Sequence, residues 1–419
     1  MKKLLGGYLV LMFFGSIAFG QVTQWRGENR DGVFSDSLLL DSWGEEGPEL
    51  LLEFKGIGKG WSSVIYVDSC YYATGMIDTM DYLSAISNDG KLKWQVPYGR
   101  SWNKSFPDTR STPTIEGNRI YIQSGTGRLA CINLTDGSEI WAVEVDKKYE
   151  GEYHLWGNSE TPLIVDDKVI CSPGGNKTSI VALNKMTGEL IWQSKSLEGP
   201  RAYASATIYE YKSFRYILAV IGTHIMALKP ESGDIAWSYR YYNPEKWDQF
   251  GLIWANTPIF KEDEIFLAIG YDYDAVMLKM DSTGTSVSEK FIDHTFDNHH
   301  HGVILYEGHL YGSNWFDNKR GKWVCMKWDT GEIKYVDDWD TKGAMIFADG
   351  LLYCYNEKGN VGLVKPDPDG FEVISEFKIT KGSGPHWAHP FIADGKLIIR
   401  HGDIFMAYDI KELKRIKTV

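Results

Sequence analysis

The sequence has few of the features that would mark a thiolate-metal, membrane or nucleic-acid-binding protein. Its five cysteines include no Cys-x-x-Cys spacing, so neither a zinc–thiolate site nor a vicinal disulfide is indicated. Lysine and arginine total 44 against 56 acidic residues, for a net charge of −12. Such a chain is a poor partner for nucleic acid or an anionic membrane surface. No stretch after residue 20 is apolar enough to predict a membrane span.

Two common catalytic signatures are also missing. There is no Gly-x-Ser-x-Gly elbow for a serine hydrolase, and Gly174-Gly175 lacks the Lys-Ser/Thr and helix of a phosphate loop. The chain has 43 glycines against 14 prolines and is 14% aromatic. This composition favours many short strands joined by tight turns.

The first 20 residues have the composition of an export signal. Two lysines follow Met1, an uncharged run covers 4–19, and small residues precede Gln21. This order predicts a signal peptide at 1–20, whereas a membrane anchor would need a longer apolar run. No cysteine lies at the junction, so no lipobox is indicated. We therefore expect a periplasmic or secreted protein.

A glycine followed four residues later by tryptophan recurs along the chain. The four pairs are Gly90/Trp94, Gly137/Trp141, Gly188/Trp192 and Gly233/Trp237. Weaker copies have Gly284, Gly331 and Gly370, and successive glycines lie 47, 51, 45, 51, 47 and 39 residues apart. A period of about 40–50 residues is typical of a four-stranded propeller blade.

The repeat predicts an all-β fold, an eight-bladed β-propeller of four-stranded antiparallel blades. We expect one domain over 21–419, with full blades near 61–98, 109–146, 156–196, 203–240, 254–292, 300–337 and 343–379. The eighth blade, 387–409, needs one more strand. We assign this strand to 49–54, because a closed ring leaves no exposed edge. The tail 413–419 is the competing candidate.

The motif Ala182-x-x-x-x-Thr187-Gly188-x-x-x-Trp192 resembles the tryptophan-docking motif of PQQ-like β-propellers. That family includes BamB-like and quinoprotein alcohol dehydrogenase-like proteins. The resemblance implies that each motif tryptophan packs between neighbouring blades. The motif's usual aspartate is replaced by residues such as Asn184 and Lys229. The resemblance further implies either a cofactor-free periplasmic docking scaffold or an oxidoreductase that binds PQQ and Ca²⁺ and oxidises alcohols or sugars.

Residues just before each inner strand should converge at one mouth of the central channel. This ring comprises Trp61, Ser62, Arg110, Ser111, Trp156, Asn158, Glu160, Tyr203, Ser205, Trp254, Asn256, Asn298, His299, His300, His301, Lys342, His386, Trp387 and His389. If PQQ binds, the resemblance makes Glu160 and Asn256 calcium ligands and turns Arg110 towards a quinone oxygen. Trp254 or Trp387 would stack on the ring. No catalytic base is identified, although Asp293 and Asp297 are near.

The histidines in this ring support a second type of site. In a strand, His299 and His301 would share one face, and His389 could approach across the channel to complete a transition-metal site. Hydrogen-bonded channel histidines are the simpler alternative.

The leading prediction is a binding or scaffolding module of the cell envelope. Its partner would be an envelope protein, or a small-molecule or carbohydrate ligand at the channel mouth. A quinoprotein oxidoreductase is the alternative, and a carbohydrate-active or metal-binding propeller is the third possibility. The catalytic residues stay unassigned.

Overall fold

The protein is an eight-bladed β-propeller, as the repeat predicts. A computed structural model describes residues 22–241 and 252–412. The predicted signal peptide at 1–20 and the competing closing strand at 413–419 lie outside these ranges. Eight sheets each contain four antiparallel strands, and two of them carry an additional short strand. Within the described ranges there is one short helix, Val145–Tyr149, and no helix long and apolar enough to cross a membrane.

The blades follow one another along the chain, and each begins with its inner strand. The strands of blades 1 to 4 are Ile65–Val67, Cys70–Ile77, Met80–Ser87, Leu92–Arg100; Thr114–Glu116, Arg119–Gln123, Arg128–Asn133, Glu139–Glu144; Leu163–Val165, Lys168–Cys171, Val181–Asn184, Leu190–Gln193; Thr207–Tyr211, Phe214–Ile221, His224–Leu228, Ile235–Arg240. Those of blades 5 to 8 are Ile259–Lys261, Glu264–Leu267, Ala275–Met280, Val287–Asp293; Ile304–Tyr306, His309–Ser313, Trp323–Lys327, Ile333–Asp337; Gly343–Ala348, Leu351–Asn356, Asn360–Lys365, Glu372–Lys378; Phe391–Ala393, Lys396–His401, Ile404–Asp409, Glu49–Lys55.

The repeated motif is a hairpin between the third and fourth strands of a blade. In blade 3, Ala182 pairs directly with Trp192, and the register shifts immediately afterwards. A small residue leaves room for the indole on the facing strand. Gly188 closes the turn at φ +74°, a conformation that favours glycine.

Three of the four motif tryptophans, Trp94, Trp141 and Trp192, pack on the turn glycine of the next blade, as the resemblance implies. Gly284 is met by Phe214 and Tyr216 instead of Trp237. A Cβ placed on Gly188 would lie 2.7 Å from the ring of Trp141, and one on Gly233 would lie 2.4 Å from Trp192. The Trp192 indole also donates to the Pro230 carbonyl at 2.9 Å. The glycine is therefore required twice, for its backbone conformation and for the close approach of the ring.

The ring closes through the N-terminal part of the chain. Glu49–Lys55 pairs antiparallel with Ile404–Asp409 as the outer strand of blade 8. All five cysteines are free and buried, so they act as small packing residues.

A segment before this strand crosses the central channel, which the sequence did not predict. Val22–Thr23 pairs with the inner strand of blade 2, and Val33–Phe34 runs parallel to the inner strand of blade 7. An inner strand has one neighbour within its blade, so its other edge faces the channel axis. Residues 22–34 therefore occupy the channel, and we call them the plug.

Two buried arginines attach the plug to the blades. Arg30 donates to Gln24 Oε1 at 2.7 Å and, at 2.6–2.9 Å, to carbonyls at the inner strands of blades 3 and 4, namely Thr161, Pro162 and Ala206. Arg26 donates to carbonyls of the plug and of blades 6 and 7, namely Asp31, Val303 and Met345. Burial lowers the pKa of Arg30 to about 9 and that of Arg26 to about 10.

Candidate functional site

A cavity of about 440 Å³ opens at one mouth of the channel, with Trp25 of the plug in its lining. Nine of its lining residues are Trp, Tyr or Phe: Trp25, Trp61, Phe106, Trp156, Tyr203, Tyr271, Tyr273, Trp315 and Trp387. Its volume is that of a small-molecule site, for which about 300–1,000 Å³ is usual.

Two groups of rings face the cavity. Trp61 and Trp387 meet edge to face with their centroids 4.8 Å apart. Elsewhere in the wall, Tyr271 lies nearly parallel to Trp156 at 6.4 Å and contacts Trp315 at 5.2 Å. Rings held by other rings keep their orientation, so the walls offer flat apolar faces of fixed position.

Arg110 lines the cavity, and two of its N–H groups are bonded to carbonyls of its own loop. Its guanidinium carbon lies 4.7 Å from the centre of the Trp61 ring. Its terminal nitrogens donate to the carbonyls of Asp108 and Phe106. Burial lowers the pKa of Arg110 to about 10, so the side chain stays charged at neutral pH. The cation therefore braces the indole and the loop before blade 2.

Glu160 is buried within the blades and is absent from the described lining of the cavity. Its Oε2 accepts a hydrogen bond from the Ser172 amide at 2.8 Å, and its Oε1 accepts one from the Ser172 hydroxyl at 2.7 Å. Burial raises its pKa, while the charges of Arg30 and Arg201 act against that rise. Glu160 therefore serves as an internal acceptor and counter-charge.

Asn256 and Trp254 are also directed into the protein. The Asn256 amide nitrogen donates to the carbonyls of Asn298 and His299 at 2.6 and 2.7 Å, and its oxygen accepts from Gly302 N at 3.1 Å. The indole of Trp254 donates to the Gly222 carbonyl at 2.9 Å. Of the predicted cofactor-binding residues, Arg110 and Trp387 line the described cavity, whereas Glu160, Asn256 and Trp254 do not.

The two nearby aspartates have structural contacts. Asp297 accepts hydrogen bonds from the amides of Asp272 and Trp315 at 3.1 Å each, and so fixes the loops that carry Tyr271 and Trp315. Burial raises its pKa to about 7. Asp293 accepts hydrogen bonds from the amides of Thr295 and Phe296. Neither aspartate is part of the described lining, so no catalytic base is identified.

The histidines assemble differently from the predicted set His299, His301 and His389. His389 Nδ1 lies 3.3 Å from Arg26 Nη1, and its Nε2 lies 2.8 Å from the His300 carbonyl. The arginine donates to Nδ1, so Nε2 carries the hydrogen and donates to the carbonyl. With both nitrogens used, His389 is not available as a ligand. The atoms brought together belong instead to His300, His301 and Glu357.

Burial keeps these imidazoles neutral. It lowers the pKa values of His299, His300, His301 and His389 well below the usual value, and the neighbouring positive groups act in the same direction.

The prediction from the sequence considered only residues just before each inner strand, and it therefore missed several residues of the cavity wall. Tyr271, Trp315 and Glu357 follow the second strand of blades 5, 6 and 7. Because neighbouring strands are antiparallel, the end of a second strand lies beside the start of the inner strand. Reading both positions would have found them. Trp25 carried no such signal, since the plug belongs to no blade.

The fold and this cavity define the protein as an eight-bladed propeller of the PQQ-like class. The family model described as "Outer membrane protein assembly factor BamB" matches residues 79–336. The match covers more than half of the 419 residues, so the chain belongs to this family.

Relatives of two kinds match parts of the chain. The outer membrane protein assembly factor BamB of Alkalilimnicola ehrlichii is 24% identical over 151 residues, 35% of this chain and 35% of that protein. The quinoprotein alcohol dehydrogenase PedH of Pseudomonas putida is 27% identical over 196 residues, 42% of this chain and 30% of that protein. The chain thus spans about a third of each relative's length.

Solved structures of both kinds share the fold. BamB from Moraxella catarrhalis superimposes with a TM-score of 0.61 at 15% identity, covering 87% of this chain and all of that one. The quinohemoprotein alcohol dehydrogenase from Comamonas testosteroni gives 0.68 at 12% identity, covering 93% of this chain and 80% of that one. At such identities the likeness concerns the fold alone.

The donor set predicted for a calcium–quinone pair does not fit this cavity. Calcium takes about six to eight oxygen ligands, supplied largely by carboxylates and amides. Here both oxygens of Glu160 are bonded to Ser172, and the amide oxygen of Asn256 is bonded to Gly302. Glu357, which does line the cavity, is paired with Lys342 at 3.2 Å. Glu160 and Asn256 would have to give up internal bonds to hold the ion, and Glu357 alone supplies too few oxygens for calcium.

Proposed function

We propose that this protein is an exported binding module of the cell envelope, whose ligand occupies the aromatic cavity at the channel mouth. The observation that supports this proposal is the contrast between the cavity's walls and its polar groups. The walls are fixed aromatic faces, while Glu160, Asn256 and Asp297 beside them are bonded within the protein.

The chemistry of the walls favours a neutral, ring-shaped ligand such as an oligosaccharide. A sugar ring presents an apolar C–H face that packs on an aromatic ring, and its edge carries hydroxyls. Ser159 and Asn318 lie among the wall residues and could exchange hydrogen bonds with those hydroxyls.

A quinoprotein oxidoreductase is the second candidate, favoured by the likeness to alcohol dehydrogenases. It requires a bound cation beside the quinone. The internal hydrogen bonds of Glu160 and Asn256 count against it.

Calorimetric titration of the purified mature protein separates the two proposals. The probes are soluble fragments of cellulose, xylan and chitin, and PQQ with and without Ca²⁺. We expect saturable binding of one saccharide class and no calcium-dependent binding of PQQ. Trp387→Ala should weaken saccharide binding, since this indole is part of the wall.

The matched control is Trp43→Ala. Trp43 packs on Phe377 and Tyr353 of blade 7, and it is not among the described lining residues. Saccharide affinity that is unchanged in Trp387→Ala, or no saccharide binding at all, would contradict the proposal. Calcium-dependent binding of PQQ that is lost in Glu160→Gln would support the second candidate instead.

A further inference from the structure

Three side chains at one edge of the cavity converge in a way that the proposed ligand does not require. His300 and His301 lie in the loop before the inner strand of blade 6, and Glu357 follows the second strand of blade 7. One potential ligand atom from each lies within 4.8 Å of the others. His301 Nε2 is 3.1 Å and His300 Nε2 is 3.9 Å from Glu357 Oε1.

The hydrogen bonds of His300 leave one ring nitrogen free for a ligand role. Its Nδ1 lies 2.9 Å from Nδ1 of His299, so one of the two atoms donates a hydrogen to the other. When His300 donates, its Nε2 carries a lone pair. Within the described parts of the chain, this Nε2 is buried and has no hydrogen-bond partner. A buried polar atom without a partner is costly, and a bound cation would satisfy it.

Lys342 holds the carboxylate in position but opposes the charge of a cation. Its Nζ lies 3.2 Å from Glu357 Oε2 and donates to the Asp317 carbonyl at 2.7 Å. The ammonium therefore binds one carboxylate oxygen, and the other, Oε1, accepts the hydrogen of His301 Nε2. A cation would take the place of this hydrogen, and the imidazole would carry its proton on Nδ1, which has no partner among the described residues. The positive charge of Lys342 must weaken cation binding at the same site.

We propose that His300, His301 and Glu357 bind one divalent first-row transition-metal ion. Two imidazoles and one carboxylate are a donor set used by zinc and non-haem iron sites. His299 positions His300 through the shared hydrogen, as partners of metal-bound histidines generally do. His300 and Glu357 both line the cavity, so the open coordination positions face a ligand there.

The test is titration of the chelator-treated, full-length mature protein with Zn²⁺ and, separately, with Co²⁺, whose visible spectrum reports coordination. We expect one equivalent to bind. His300→Ala and Glu357→Gln should each abolish binding of that equivalent and its Co²⁺ spectrum. His299→Phe removes the partner of His300 Nδ1 and should weaken binding by about 10- to 100-fold. Lys342→Met should tighten it.

The matched control is His294→Ala. His294 also contacts a carboxylate, Asp274 Oδ1 at 2.8 Å, but it lies outside the three-residue cluster. Its replacement should leave the stoichiometry and spectrum unchanged. Circular dichroism of every variant verifies the fold, and the gain expected for Lys342→Met does not depend on any loss of structure. Absence of a bound equivalent in the wild type, or binding that persists in both His300→Ala and Glu357→Gln, would overturn the proposal.

Discussion

The plug and the cavity at the channel mouth both contain buried polar groups but use them differently. In the plug, Arg26 and Arg30 are buried and donate to main-chain carbonyls of the surrounding blades. At the mouth, aromatic faces border a cavity, and the buried His300 Nε2 has no partner within the described residues. The two arginines of the plug thus form internal contacts, whereas the mouth has aromatic surfaces that border the cavity and a buried His300 nitrogen without a partner among the described residues.

This difference separates stability from binding. A buried guanidinium is tolerated only while its hydrogen bonds are complete, so losing it exposes several unsatisfied carbonyls at once. An aromatic ring that borders a cavity has few protein contacts on that side, so losing it removes a ligand surface. Replacements in the plug should therefore lower the free energy of unfolding, and replacements at the mouth should lower affinity.

The largest effect is expected from Arg30→Ala. The change removes the donor to the carbonyls of Thr161 and Ala206 and to Oε1 of Gln24, while the Pro162 carbonyl keeps the hydrogen bond from the Thr114 hydroxyl. We expect the free energy of unfolding to fall by about 3–5 kcal/mol, because several hydrogen bonds from a charged donor are lost and each contributes about 1.5–3 kcal/mol. Urea denaturation followed by circular dichroism measures it.

The control for Arg30 is Arg215→Ala on the outer surface. Arg215 forms a partly exposed ion pair with Asp166 at 2.8 Å. Exposed pairs contribute about 0–1 kcal/mol, so this variant should unfold almost as the wild type does. Equal losses in both variants would show that the plug is not a stabilising element.

The second prediction concerns Asp297, a buried carboxyl near the mouth that contributes to stability and is not part of the described cavity lining. Burial raises its pKa to about 7, so the folded protein holds a proton that the unfolded chain releases near pH 4. Between these values the folded state binds more protons, and the free energy of unfolding falls as pH rises. For one group the slope reaches about 1.4 kcal/mol per pH unit.

Asp297→Asn should remove this contribution. Urea denaturation of both proteins between about pH 4 and pH 7 gives the difference in unfolding free energy, in which the other titrating groups cancel. The difference should change steadily across the window and level off above it. A difference independent of pH would mean that the pKa of Asp297 is the same in the folded and unfolded states.

The fold followed from the sequence because its signals are local. A glycine at positive φ and a small residue opposite an indole are properties of one hairpin, and Thr-Pro pairs such as Thr112-Pro113 directly precede inner strands. The repetition of this hairpin along the chain then identified the eight-bladed propeller.

The candidate site was predicted only in part because its geometry is not local. Arg110 and Trp387 precede inner strands and line the cavity at the mouth. Glu160 also precedes an inner strand, but this position does not determine the direction in which its side chain points. That direction depends on Ser172, which follows the second strand of blade 3. Likewise, His389 is bonded to Arg26 of the plug, 363 residues away in sequence.

Glu160→Gln sharpens the distinction between an internal acceptor and a ligand-binding carboxylate. Glutamine offers one acceptor in place of two, so one Ser172 donor loses its partner and Arg30 loses a nearby negative charge. We expect a loss of about 1–3 kcal/mol in the free energy of unfolding. Saccharide affinity, measured by calorimetry on the folded variant, should be unchanged. A loss of affinity without a loss of stability would place Glu160 in the binding site.

The smallest effect on stability is expected from Phe106→Ala at the rim. Phe106 is 58% exposed and lines the cavity, with its ring 6.1 Å from Trp156 and 6.4 Å from Trp387. Its removal should change the free energy of unfolding by no more than about 0.5 kcal/mol, as surface replacements usually do. Saccharide affinity should fall, since the ligand loses one apolar face of the wall against which a sugar ring can pack.

Phe316→Ala is the matched control for this variant. Phe316 is 63% exposed and is not among the described lining residues of the cavity. It carries the same side chain at a similar exposure, so it removes an equal apolar surface without touching the wall. Equal affinities for the two variants would mean that the ligand does not reach the rim. A selective loss in Phe106→Ala would show that binding at the mouth and stability from the plug are set by separate groups of residues.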